Sequence, residues 1–214
     1  MKTKTEKRYL ANIKLTAFCI AFIILTVLVT ALPTKSEAEI YDDVIRLHVT
    51  AASDGEFDTA LKILVKDAIL EEISGIYAEN DISGDTALAK CENARSVLEE
   101  SLPRIESAAR SKAGEFNVSD VTVSLSKDRF PEKTYGDVTL PAGYYESLIV
   151  TIGEGRGHNW WCVVYPIVCL SPSSPAVVLK ETGFTNDQID VLSGSGGYVI
   201  KFKLLEFINR IFGK

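Results

Sequence analysis

The first 38 residues constrain this chain more than any other part of it. Residues 15–32 form a run of 18 uncharged, mostly apolar residues, and five cations precede the run: Lys2, Lys4, Lys7, Arg8 and Lys14. Small residues, Ser36 and Ala38, then occupy the −3 and −1 positions of a cleavage site after Ala38. This order predicts a signal peptide over residues 1–38. An uncleaved amino-terminal membrane anchor is the alternative, because 18 apolar residues are just enough to cross a hydrocarbon core of about 30 Å.

Both interpretations keep the basic flank in the cytoplasm and place residues 39–214 on the far side of a membrane. This exported part keeps 17 of the 23 cations and 27 of the 29 anions, so its net charge is −10. A protein that neutralises nucleic-acid phosphates needs a dense basic patch, and none remains here. The charge therefore argues against nucleic-acid binding and favours a neutral or basic partner surface.

Three cysteines remain in the exported part. Cys91 falls among apolar residues at helical spacing and is expected to be a small buried side chain. Cys162 and Cys169 are seven residues apart around Pro166, so a local disulfide is possible, and it would stabilise the fold by about 2–3 kcal/mol. Neither a C-x-x-C nor an H-x-x-x-H pair occurs, so we expect no zinc site, and no cofactor is indicated.

The hydrophobic periodicity predicts one α+β domain over residues 39–214. A strand is expected at 44–51, a helix at 56–78, and a second helix that runs to about 113 and kinks or restarts at Pro103. Four strands follow, at 121–125, 135–140, 148–152 and 160–166, and a carboxy-terminal helix covers about 200–211 after loops at 171–175 and 193–197. The expected architecture is an antiparallel sheet with two long helices packed on one face.

The chain offers few residues for catalysis. Cys162 and His158 are the best nucleophile and base by sequence proximity, but on one strand they would be about 13 Å apart. The carboxylates of Asp54, Asp58 and Asp67 suit the start and flank of a helix. The glycines of residues 153–157 join two predicted strands, which indicates a hairpin turn rather than a phosphate-binding loop.

Trp160 and Trp161 are the strongest candidates for a contact surface. Consecutive strand residues point to opposite faces, so one indole is expected to be structural while the other faces outward. Exposed tryptophans are enriched among the residues that dominate binding at protein interfaces. Together with His158 and Asn159 at the adjacent loop, they form the predicted partner-binding surface.

Two segments carry a resemblance to a known family. Residues 140–162 (LPAGYYESLIVTIGEGRGHNWWC), continuing to Cys169, resemble the pattern P-A-G-x-Y…I-G-x-G-x-G-x-N-W-W-C-V-x-F-P-P-L-C. Residues 45–67 resemble I-R-x-H-V-x-A-N-S-D…D-Q-x-L-K…V-R-D. Both patterns are those of the stage II sporulation protein R family of endospore-forming Firmicutes. The chain departs from them at four positions: Ala52, Thr59, Lys66 and Ile167.

The resemblance implies a function outside catalysis. Members of the family are made in the forespore and exported into the space between forespore and mother cell. There they activate a membrane-embedded aspartic protease, which processes the pro-sigma factor of the early mother cell. The expected partner is therefore that protease, with no nucleic acid and no small-molecule ligand.

The resemblance also adds four residues to the predicted partner-binding set: Arg46, His48, Asp54 and Asp58. It covers a family core of about residues 40–170 and leaves 171–214 as a carboxy-terminal extension. Two alternative functions remain, an exported hydrolase or thiol enzyme that uses Cys162 and His158, and a cell-wall or membrane-associated adapter.

Overall fold

The computed structural model describes residues 14–26, 35–169, 171–194 and 199–213. Residues 14–26 are helical (α1), and the rest of the apolar run, residues 27–32, lies outside the described residues. A four-residue helix, α2 (Lys35–Ala38), includes the predicted cleavage position. Among the described helices, none is both long enough and apolar enough to cross a membrane. The signal peptide and its cleavage site stay predictions.

The remaining elements follow the α+β order expected from the periodicity. After a 3-10 turn at Glu39–Tyr41 come β1 (Ile45–Thr50), α3 (Glu56–Glu79), α4 (Ala87–Gly114), β2 (Val121–Phe130), β3 (Lys133–Tyr135) and β4 (Val138–Leu140). They are followed by β5 (Gly143–Ile152), β6 (Trp160–Tyr165), α5 (Pro175–Glu181), α6 (Asn186–Leu192) and α7 (Val199–Phe212). The α+β class and the carboxy-terminal helix are confirmed.

The four-stranded sheet is mixed, which corrects the expected antiparallel arrangement. Its strand order is β2-β5-β1-β6, and a separate hairpin pairs β3 with β4. β5 is antiparallel to β2, and β6 is antiparallel to β1, but β1 and β5 run parallel. Strand periodicity sets which side chains share a face and does not set which strands become neighbours, so sequence patterning left this pairing undetermined.

The two long helices cover one face of the sheet, as expected. Alternate residues of β1, Ile45, Leu47 and Val49, are fully buried against this layer, and Leu148 and Val150 of β5 extend the same face. Arg104 of α4 forms ion pairs with Glu72 and Glu79 of α3.

α4 continues through Pro103 as one helix, so the expected restart there is wrong, and the alternative of a kink stays a prediction. Proline removes one backbone hydrogen bond from a helix interior. Pro103 is exposed, so water can solvate the carbonyl that loses its partner.

A second apolar cluster covers part of the opposite face of the sheet, where the sequence analysis predicted no covering layer. Tyr41, Phe130 and Tyr145 are buried there against apolar residues that follow β6: Leu179, Phe184, Val191, Leu192 and Leu205. The helices α5 and α6 were not predicted, because seven residues are too few to display a clear helical period. The carboxy-terminal extension thus supplies much of this second cluster.

Candidate functional site

The glycine-rich loop before β6 is docked on the segment that joins β1 to α3. The Gly157 amide donates to the Ala51 carbonyl at 2.9 Å, and the His158 amide donates to Asp54 Oδ1 at 2.5 Å. The buried Lys62 ammonium of α3 donates to the His158 carbonyl at 2.6 Å. A Cβ at Gly157 would lie 2.5 Å from the Ser53 carbonyl oxygen, so this close approach requires glycine. The predicted hairpin turn is wrong, because β1 lies between β5 and β6 in the sheet and the loop instead passes the end of β1.

Asp54 and Asp58 hold this junction together. The Asp54 carboxylate also pairs with His158 Nδ1 at 2.5 Å, and the hydrogen bond from the His158 backbone keeps the pKa of Asp54 below its usual value. Ser53 Oγ donates to Asp58 Oδ2 at 2.5 Å, and α3 begins after Gly55 without a side-chain cap. Asp54 therefore positions the loop that carries His158 and Asn159, while Asp58 fixes Ser53 on the other side of the junction.

His48 links the docked loop to the sheet. Its Nδ1 lies 2.8 Å from Asp128 Oδ2 of β2, and its Nε2 lies 2.9 Å from Asn159 Oδ1. The imidazole stacks on the Trp161 indole with 4.0 Å between ring centroids. Three sequence-predicted residues, His48, Asn159 and Trp161, are therefore in direct contact.

The side chains of Trp160 and Trp161 point to opposite faces of the sheet, as expected for consecutive residues of a strand. Trp161 is half-buried beside His48 and packs on Phe130 with 4.6 Å between centroids. Trp160 lies on the side of α3, is 39% exposed, and has the Lys66 ammonium 4.9 Å from its ring centroid. Trp160 is the more exposed indole.

Arg46 is fully buried behind these residues. Its guanidinium lies 4.4 Å from the Phe130 ring centroid, 5.0 Å from that of Tyr145 and 5.7 Å from that of Tyr135. One nitrogen donates to the Tyr135 hydroxyl at 2.7 Å, while Nε and Nη1 have no hydrogen-bond partner within the described structure. Burial raises the pKa of Tyr135, so its hydroxyl stays protonated.

Cys162 and Cys169 are joined by a disulfide. The bond ties β6 to the segment that follows it and leaves Cys162 without the thiol that a nucleophile needs. Cys91 is buried, and its burial raises the pKa of its thiol far above the usual value. In the described residues, no three His, Cys, Asp or Glu side chains are placed to hold a metal ion.

These parts surround an open groove of about 580 Å³, which we call the β6 groove. Asn159 to Cys162 form its floor, and α3 contributes Lys66, Asp67 and Leu70 to one wall. Lys133, Tyr135 and Gly136 form the other wall, and the end is closed by residues that follow β6: Val168, Cys169, Ser171, Ser173 and Pro175. The groove brings Asn159, Trp160 and Trp161 together, whereas the exposed His158 side chain lies outside it. Assignment of the predicted residues to partner binding stays a prediction.

The comparisons with known proteins decide the family. Residues 41–174 match the family described as stage II sporulation protein R. The chain is 34% identical over 151 residues to the stage II sporulation protein R of Bacillus subtilis (strain 168).

The chain belongs to the stage II sporulation protein R family.

The match to the Bacillus subtilis protein covers 69% of this chain and 64% of that relative, so the chain spans just under two thirds of the relative's length. The family region begins at the end of the 3-10 turn before β1, runs past β6 and includes nearly all of the β6 groove, but it ends before α5. No solved structure is detectably similar to this chain. Membership makes this a sporulation protein.

Sequence reasoning missed three residues that build the site: Asp128, Phe130 and Tyr135. Asp128 and Phe130 are two apart on β2 and so share the face that meets His48 and Arg46. Extending the alternation of residues 121–125 along the strand would have placed them there. Tyr135 comes from a separate hairpin, and nothing local in the sequence links it to Arg46.

Proposed function

We propose that this chain is an exported signal of the forespore. It acts in the space between forespore and mother cell, where it activates a membrane-embedded aspartic protease that processes the pro-sigma factor of the early mother cell. Family membership carries this proposal, and the basic, apolar amino terminus supports export. The chain itself acts by binding and catalyses no reaction.

The β6 groove supports binding as the mode of action. It presents an exposed indole, Trp160, beside a half-buried one, Trp161, on a strand fixed by a docked loop and a disulfide. A rigid aromatic surface can bind with little loss of side-chain freedom. An activator needs to favour only the active conformation of its target, and it does so by binding that conformation more tightly.

The thiol-enzyme alternative lacks support from the site. The Cys162 sulfur is bonded to Cys169, so it offers no thiolate to attack a substrate. The adapter alternative predicts a different experimental result, because an adapter would bind cell wall or vesicles without stimulating the protease.

The test is co-expression of the full chain with the protease and its pro-sigma substrate in a host that does not sporulate. We expect processing of the pro-sigma factor to rise when the chain is present. Unchanged processing, with the chain exported and stable, would overturn the proposal.

A chain that lacks residues 2–38 tests the export step in the same host. It would stay in the cytoplasm, on the wrong side of the membrane, so we expect no stimulation. Stimulation equal to that by the full chain would contradict action from the exported side.

A further inference from the structure

We propose that the β6 groove receives an extended, acidic segment of the partner polypeptide, which pairs with the free edge of β6. This inference rests on the proposed function, because it specifies which part of the protease the chain would bind. Three features of the groove lead to it: an open strand edge, a local excess of cations and adjacent apolar surfaces.

The open edge follows from the order of the strands. β6 is the last strand of the sheet and pairs only with β1 in the part of the chain that the structure describes. The groove runs past Asn159 to Cys162, so the outer edge of this stretch faces open space. An unpaired edge offers backbone N–H and C=O groups to an incoming strand, a common mode of peptide recognition.

The lining of the groove has an excess of one cation, two lysines against one aspartate, although the exported part of the chain is acidic. Lys66 and Lys133 stand on opposite walls, and Asp67 is the one carboxylate among the described lining residues, 2.5 Å from Lys66 Nζ. Behind Tyr135 lies the Arg46 guanidinium, which has no carboxylate partner among the described ion pairs and keeps two nitrogens without hydrogen bonds. A cationic site on a domain with a net charge of −10 selects an acidic occupant.

The groove also offers apolar surface to a bound strand. Trp160 and Trp161 on the floor, with Leu70 and Val168 beside them, suit apolar side chains of the occupant. Successive side chains of an added strand point to opposite sides, so one set would meet Trp160 and Lys66 on the α3 side and the other set Trp161 and Lys133 on the hairpin side. The favoured occupant therefore carries both apolar and acidic residues on each of its two sides.

Site-specific photocrosslinking tests the location in the co-expression host. The crosslinking residue p-benzoylphenylalanine replaces either Ser171 or Ser173 at the groove, or Glu100 or Ser107 on the exposed side of α4 as controls. We expect both groove positions to crosslink to one continuous, acid-rich segment of the protease, with the control positions silent. Crosslinks from α4 only, or from the groove to a basic or discontinuous segment, would overturn the inference.

Charge reversal tests the chemistry. We expect Lys133→Glu to lower the stimulation of pro-sigma processing about fivefold, while Lys180→Glu, an equally exposed change on α5, leaves it unchanged. Replacing the crosslinked acidic residue of the protease by lysine should restore stimulation by the Lys133→Glu chain. An unaffected Lys133→Glu chain would refute an acidic occupant.

The unmodified chain separates the two proposals. If the unmodified chain stimulates processing but the groove variants that carry p-benzoylphenylalanine do not crosslink to the protease, the groove inference fails and the proposed function stands. If it does not stimulate processing at all, the proposed function fails, and the inference that rests on it fails too.

Discussion

Single residues determine where the edge strand begins. Gly157 allows the loop to contact the Ser53 backbone, and Asp54 and Lys62 then fix both sides of His158. These residues belong to the segments that carried the family resemblance, and their contacts give that pattern a physical reason. Sequence reasoning had assigned Asp54 to the partner-binding surface. In the structure its carboxylate accepts a hydrogen bond from the His158 amide and so holds the loop.

Replacing Gly157 by alanine should destabilise the fold. The new Cβ would lie 2.5 Å from the Ser53 carbonyl oxygen, and we expect the free energy of unfolding to fall by roughly 2 kcal/mol. Gly114→Ala is the matched control, because a Cβ there meets nothing within 4 Å. Urea unfolding of both variants measures the difference, and equal stability would refute the close approach.

At the scale of elements, the second cluster joins the start of β1 to α6. The buried Asp43 carboxylate accepts a hydrogen bond of 2.7 Å from Gln188 Nε2. Burial raises the pKa of Asp43 to about 6, although the bond from Gln188 acts in the opposite direction, and the charges of Glu39 and Asp42 add to the increase. The charged form of Asp43 is therefore disfavoured in the folded chain.

This raised pKa predicts a pH dependence of stability. The folded state binds the Asp43 proton more tightly than the unfolded state, so the Asp43 contribution opposes folding above pH 6 and is relieved as the pH falls toward 4. We expect Asp43→Asn to gain about 2 kcal/mol of stability over the wild type at pH 7.5, with the gain lost near pH 4. Denaturation at both pH values measures it, and a pH-independent difference would contradict the assignment.

The disulfide joins β6 to the segment that closes the groove. Because it spans a short loop, we expect the double variant Cys162→Ser and Cys169→Ser to lose about 2.5 kcal/mol of stability. Its stimulation of pro-sigma processing should decline gradually with the fraction folded. Complete loss of stimulation by a chain that is still folded would instead revive a chemical role for the thiol.

At the scale of the whole molecule, local patterns predicted the elements better than their arrangement. The helical stripe of α3 and the alternation of β2 and β5 are repeated often enough to be read directly from the sequence. Two features join residues that are far apart in the chain: the parallel pairing of β1 with β5 and the contact between Arg46 and Tyr135. A local hydrophobic period cannot predict such contacts. The aromatic pair at residues 160–161 was predicted as a surface, but the groove around it needs four separate segments.

The central claim is that the β6 groove delivers the signal, and the effect of Trp160→Ala on pro-sigma processing tests it most directly. Trp160 is exposed in the groove, whereas Phe57, an exposed aromatic residue outside it, provides the control Phe57→Ala. With equal amounts of folded chain, we expect Trp160→Ala to lower stimulation about tenfold or more and Phe57→Ala to leave it unchanged. Equal stimulation by the two variants would contradict the account.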